Sequence, residues 1–147
     1  MAVIEWTPEL ELGFDPMDQT HREFVAMLND MAMAPDDEVD EKLERFIAHT
    51  VAHFEQENQW MRLSGFPPIG CHMGEHERVL AILFEVRGMV RTGQIIIARV
   101  LATELAAWFE NHAATMDHAL AYYLEQTGFD VTTAAAKGGN VNTARTA

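Results

Sequence analysis

Five histidines fall where a buried helix face should carry only apolar side chains, and this placement constrains the fold more than any other feature. Apolar residues recur at three and four residues along most of the chain, the period of one face of an α-helix. Met17, His21, Phe24, Val25, Leu28 and Met31 make a first stripe, and Leu43, Phe46, Ile47, Thr50, His53, Phe54, Glu57 and Met61 a second. A third runs His72, His76, Val79, Leu80, Leu83, Val86 and Val90. The fourth is Ile97, Val100, Leu101, Leu105, Trp108, His112, Met116, Ala119, Leu120 and Tyr123. A buried imidazole without a partner costs on the order of 1–3 kcal/mol, and a small core cannot supply hydrogen-bond partners to all of these imidazoles. A shared metal centre satisfies them together.

Residues that stop helices separate the stripes. Pro35 ends the first, Asp36 or Asp37 is placed to cap the second, and Gly65-Phe66-Pro67-Pro68 ends it. Gly93 marks a short turn before the fourth helix and Gly128 closes it. Helices joined by short turns must alternate in direction, so the expected fold is all-α, an up-down-up-down four-helix bundle. Ahead of it, Trp6, Pro8, Gly13 and Pro16 show no helical period and predict an extended N-terminal arm laid across the bundle. The domain is expected over residues 1–130, with the small, polar segment 131–147 as a disordered tail.

The spacings sharpen the metal reading. His53 and Glu57 are four apart, as are His72 and His76, so each pair projects from one side of its helix and acts as a two-pronged arm. His112 and Asp117 are five apart, out of phase with a regular helix. Either the two side chains straddle the centre from opposite flanks or the helix widens into a π-bulge there, and on spacing alone a solvated carboxylate beside His118 is the better reading of Asp117. Imidazole mixed with carboxylate suits iron or another first-row metal better than calcium, and the lack of thiolate donors argues against structural zinc. Five imidazoles and two carboxylates exceed the coordination of one ion, which points to two metals in the bundle core. His49 and His118 fall outside the pattern and are assigned to the outer surface or to supporting contacts, and Cys71 to packing.

Composition closes off other classes. Ten basic against 23 acidic residues give a net charge of −13, which repels nucleic acid and anionic membrane surfaces. No apolar run is long enough to span a bilayer. The single cysteine forms no internal disulfide, and the opening Met1-Ala2-Val3-Ile4-Glu5-Trp6 lacks the pattern of a secretory signal, so a cytoplasmic location is expected.

Several motifs together resemble the hemerythrin family in its single-domain bacterial form. They are His21 in Asp18-Gln19-Thr20-His21, His53-Phe54-Glu55-Gln56-Glu57, His72 and His76 behind Pro67-Pro68, and Trp108-Phe109-Glu110-Asn111-His112 leading to Asp117. The resemblance covers about residues 1–130 and fills all seven ligand positions in order. It implies a non-haem di-iron centre with an oxo or hydroxo bridge, one iron on His72, His76 and His112 and the other on His21 and His53. Glu57 and Asp117 would bridge the pair, and molecular oxygen would bind reversibly at an open position on the second iron. That implies oxygen storage, delivery or sensing rather than an enzyme, and sensing would need a separate protein partner. The alternative is a di-iron enzyme acting on peroxide, nitric oxide or a small substrate, which needs a proton donor in the pocket; Thr50 and Thr115 are the only candidates on the inner stripes. The family pattern places Phe24, Leu28, Phe109 and Ala113 around bound oxygen, with Ala113 where a bulkier aliphatic is usual, so a roomier pocket is expected. Asn58 stands where many relatives carry a second Glu, a change expected to cost no ligand.

Overall fold

The computed structural model describes residues 2–131; of the segment 131–147 expected to be a disordered tail, Val131 packs against an apolar cluster of the bundle, and 132–147 lies outside the described residues. Four long helical arms follow one another as the periodicity predicts: α1 (Asp15–Met33), α2 (Val39–Ser64), α3 (Ile69–Arg91) and α4 (Ile95–His112). A π-helical turn, Ala113–Asp117, continues α4 directly into α5 (His118–Gln126). Helix α1 packs on α2 and α4, and α3 on the same two, which closes the bundle. Pro16 sits in the first turn of α1, where its missing N–H costs nothing, and Asp15 and Asp18 there complement the helix dipole.

Gly65 ends α2 in a left-handed conformation at φ 71°, which lets the Phe66 N–H bond back to the Met61 carbonyl at 3.0 Å. The Tyr123 hydroxyl donates to the freed Ser64 carbonyl at 2.9 Å, so α5 seals the end of α2.

The second helix is not capped as expected. It is preceded by a 3-10 turn, Asp36–Glu38, and Glu38 before its first residue makes no side-chain cap bond. Asp36 is drawn off by Arg99 of α4, whose guanidinium also donates to the Ala32 and Ala34 carbonyls at 2.9 and 2.8 Å. The arm is likewise not extended throughout, because Pro8–Leu10 forms a 3-10 turn. It is tied down by Asn29, whose Oδ1 accepts from the Val3 and Ile4 N–H groups at 2.8 and 3.2 Å and whose Nδ2 donates to the Ile4 carbonyl at 2.7 Å. Asp18 accepts from the Leu12 and Gly13 N–H groups at 2.8 and 3.1 Å.

The fourth stripe needs correction. Val100 is 53% exposed and Ala119 is also outside, while Ala98, Ala102, Ala106, Ala121 and Leu124 are buried. Alanine carries little hydropathic signal, and the wide turn after His112 advances the inward face by about one residue, so Asp117, Leu120 and Leu124 point in. Cys71 is exposed and does not pack in the core. Thr115 is exposed as well.

Two apolar clusters fill the interior, and His21, Glu57 and Asp117 lie between residues of the two along the chain, in a buried polar layer. One contains Phe24, Leu28, Phe46, Phe54, Leu83, Phe109 and Ala113. The other contains Met17, Trp60, Met61, Phe66, Leu120 and Leu124. His21 follows Met17 and precedes Phe24, and Asp117 separates Ala113 from Leu120, so both ends of the polar layer are sealed by hydrocarbon.

Candidate metal centre

All seven side chains proposed as ligands from the sequence meet in that layer. His21 comes from α1, His53 and Glu57 from α2, His72 and His76 from α3, His112 from α4 and Asp117 from the π-turn, and none is more than 3% exposed. The five-residue interval from His112 to Asp117 is resolved in favour of the π-turn. Its extra residue per turn brings Asp117 Oδ1 to 3.2 Å from His112 Nε2.

Each carboxylate divides its oxygens between two sets of imidazoles. On one side, Glu57 Oε2 lies 2.9 Å from His53 Nε2 and 3.3 Å from His21 Nε2, and Asp117 Oδ2 lies 3.2 Å from His21 Nε2. On the other, Asp117 Oδ1 lies 3.0 Å from His72 Nε2, and Glu57 Oε1 lies 3.3 Å from His76 Nε2 and 3.5 Å from His72 Nε2. Two donor groups result, one of Glu57, His72, His76, His112 and Asp117 and one of His21, His53 and Glu57, each with its ligand atoms within 4.8 Å of one another.

On the two-histidine side Glu57 Oε2 is hydrogen-bonded to His53 and His21, but most of the other donor atoms do not satisfy each other. Nε2 of His72, His76 and His112, Oε1 of Glu57 and both oxygens of Asp117 are buried without a hydrogen-bond partner. The 3.0–3.5 Å contacts on the three-histidine side are close but misaligned for hydrogen bonds. Lone pairs that converge on a point rather than on each other are the arrangement a cation completes, and buried polar atoms left otherwise are costly. The residues present therefore fit a pair of metal ions.

The charges of the metal-free centre follow from the same contacts. Burial pulls the His21 imidazole down, but the nearby Asp117 and Glu57 carboxylates outweigh that and hold its pKa up at about 10. His72 is raised to about 9 by the same balance. At His53 burial wins over the Glu57 charge and the pKa is lowered. Burial alone would raise Glu57 and Asp117, yet the surrounding imidazoles hold both well below the usual carboxylate range.

Aromatic rings wall the centre. Phe109 meets His21 edge-on at 5.0 Å and stacks on Phe24 at 4.7 Å, and Phe24 approaches His53 at 5.7 Å, so both phenylalanines lie on the two-histidine side. Leu28 and Ala113 are fully buried in the same apolar cluster. On the other side Phe54 stacks on His76 at 4.0 Å and Trp108 on His112 at 4.4 Å.

Supporting contacts that the spacing did not reveal cross between helices. His76 Nδ1–H donates to Asn58 Oδ1 at 2.9 Å. The Trp108 indole N–H donates to Glu75 Oε1 at 2.9 Å, and the same oxygen lies 3.5 Å from His112 Nδ1. The interval of three from Glu75 to Arg78 and from Glu75 back to His72 was available in the sequence, but nothing in it distinguishes Glu75 from a solvated charge. His49 is a supporting residue at the edge, bonded to Glu23 at 3.0 Å and 6.1 Å ring to ring from His53, and His118 is exposed.

Known proteins share this sequence pattern and fold. Residues 12–124 match the hemerythrin HHE cation binding domain. The chain is 42% identical over 130 residues to a bacteriohemerythrin of Ralstonia nicotianae, spanning 88% of this chain and 95% of that protein. It is 31% identical over 125 residues to a bacteriohemerythrin of Stenotrophomonas maltophilia, spanning 82% of this chain and 81% of the relative. A crystal structure of a hemerythrin mutant has the same fold, with a TM-score of 0.77 at 22% identity over 84% of this chain and 98% of that one. With its helices, its paired carboxylates and its converging imidazoles in place, this chain belongs to the hemerythrin family.

Proposed function

We propose that the chain binds molecular oxygen reversibly at a non-haem di-iron centre, for storage, delivery or sensing. His72, His76 and His112 would hold one iron and His21 and His53 the other, with Glu57 and Asp117 shared between them. The observation that carries this reading is the division of each carboxylate's two oxygens between the two imidazole sets. A ferrous pair held there would supply reversible two-electron chemistry toward oxygen.

The chain's own residues keep that exchange reversible by excluding water and protons. The ligands are buried and capped at both ends by apolar clusters, with Phe24, Leu28, Phe109 and Ala113 proposed to line the oxygen position. The candidate proton donors are engaged elsewhere. Thr50 donates its hydroxyl to the Phe46 carbonyl at 2.8 Å, and exposed Thr115 donates to the Asn111 carbonyl at 2.8 Å. This supports binding over peroxide, nitric oxide or substrate turnover. No helix among the described residues is long and apolar enough to cross a membrane.

An optical experiment tests the reading. The iron-loaded protein is reduced without air, exposed to oxygen, and then stripped of it. A charge-transfer band that appears and reverses over repeated cycles supports carriage. Irreversible oxidation accompanied by turnover of an added substrate supports the enzyme instead.

A further inference from the structure

We propose that Asn58 is a positioning residue for the metal centre, fixing His76 in the tautomer that leaves Nε2 free for a metal while adding no negative charge. The proposal rests on His76 being a metal ligand, as in the function proposed above.

Three residues of α2 define the His76 ring from three directions. Phe54 lies against its face, 4.0 Å away and only 4° from parallel. Glu57 Oε1 lies 3.3 Å from Nε2 without hydrogen-bond alignment. Asn58 Oδ1 accepts from Nδ1 at 2.9 Å. The stack fixes the ring plane, and the hydrogen bond fixes rotation within it. An imidazole that gives Nε2 to a metal must carry its proton on Nδ1, and an amide oxygen is an acceptor whatever the pH. His76 is thus oriented before any metal arrives.

The neutrality of the partner has a consequence for the metal. The ring of His112 faces a carboxylate instead, with Glu75 Oε1 3.5 Å from Nδ1 while Glu75 is held by Trp108 at 2.9 Å and Arg78 at 2.7 Å. A carboxylate acceptor makes an imidazole the more basic ligand and stabilises the oxidised metal, whereas an amide does so less. Asn58 therefore keeps the reduction potential of the centre higher than an acidic residue would, which favours the reduced form.

Asn58→Leu and Asn58→Asp separate these roles. Nitrogen NMR of the metal-free protein should show the His76 proton on Nδ1, exchanging slowly with solvent, in the wild type and in Asn58→Asp but not in Asn58→Leu. Iron affinity, measured by competition with a chelator, should fall roughly 10- to 100-fold in Asn58→Leu. Asn58→Asp should retain iron and lower the midpoint potential. The proposal is overturned if Asn58→Leu keeps the slow Nδ1 proton and wild-type iron affinity, or if both variants shift the potential equally, which would mark a packing effect. A wild-type chain that takes up no iron would sink the oxygen-binding reading instead, and the NMR result on the metal-free protein would still decide the role of Asn58.

Discussion

Removing the metal should destabilise this bundle by an amount that grows as pH rises. In the metal-free centre the His21 and His72 pKa values stand at about 10 and about 9, so at neutral pH two imidazolium ions occupy the charge balance that metals would otherwise supply. A histidine whose folded pKa lies above its unfolded value of 6.5 contributes stability that is complete below 6.5 and is lost as pH rises through the folded value. The window here runs from 6.5 to about 10. At ~1.36 kcal/mol per pH unit, the rise of His72 to about 9 corresponds to on the order of 3 kcal/mol. His21 leans on the same Asp117 and Glu57, so the two do not add in full, and a combined loss of roughly 3–5 kcal/mol is expected. The depressed pKa values of the carboxylates are the same interactions seen from the other partner and are not counted again. Metal-bound imidazoles are neutral already, so the loaded protein escapes this loss. Thermal unfolding of both forms from neutral to alkaline pH should show the gap in Tm widening by roughly 10 °C or more. Calorimetric titration of metal into the metal-free protein, in buffers of different ionisation enthalpy, should show about two protons released per chain at neutral pH. A gap that does not change with pH, or metal uptake without proton release, would refute this account of the buried charges.

Other perturbations test separate parts of the structure. Glu57→Ala should lose both irons together, because this carboxylate faces both imidazole sets, whereas His21→Ala should deplete mainly the two-histidine side; metal analysis distinguishes the two patterns. Ala113→Leu should slow the decay of the oxygenated band with stability intact if the pocket is roomy. Faster decay with iron lost, at a cost on the order of 1–3 kcal/mol, would show that Phe109 already fills the space. Asn29→Ala should release the N-terminal arm at a cost of roughly 1–3 kcal/mol, seen as a lower Tm and faster proteolysis ahead of Asp15.

The helices and the histidines that converge between them were legible in the sequence because burial on one helix face imposes a period, and His21, His53, His72, His76 and His112 sit on it beside residues with no reason to be wet. Asp117 was legible only through the family resemblance, since its interval of five from His112 reads on spacing alone as a solvated carboxylate beside His118 until the π-turn of the backbone is seen. The inward alanines of α4 were missed because a methyl group hardly registers in a hydropathy pattern, although it sets how closely helices approach. Asn58, Glu75 and the diversion of Asp36 to Arg99 depend on which residues of different helices come together, and no interval along one strand of sequence encodes that. Cys71 and Thr115 turned out exposed for a related reason, as a rotation of a few tens of degrees about a helix axis decides which of two neighbours is covered.

The central claim is that two metals share one buried layer of seven side chains. Metal analysis of the protein after anaerobic reconstitution with ferrous iron, combined with measurement of oxygen uptake, tests it most directly. The proposed function predicts two irons per chain and one oxygen molecule bound per pair, released again when oxygen is withdrawn. One iron per chain, or zinc retained in its place from iron-replete medium, would contradict it.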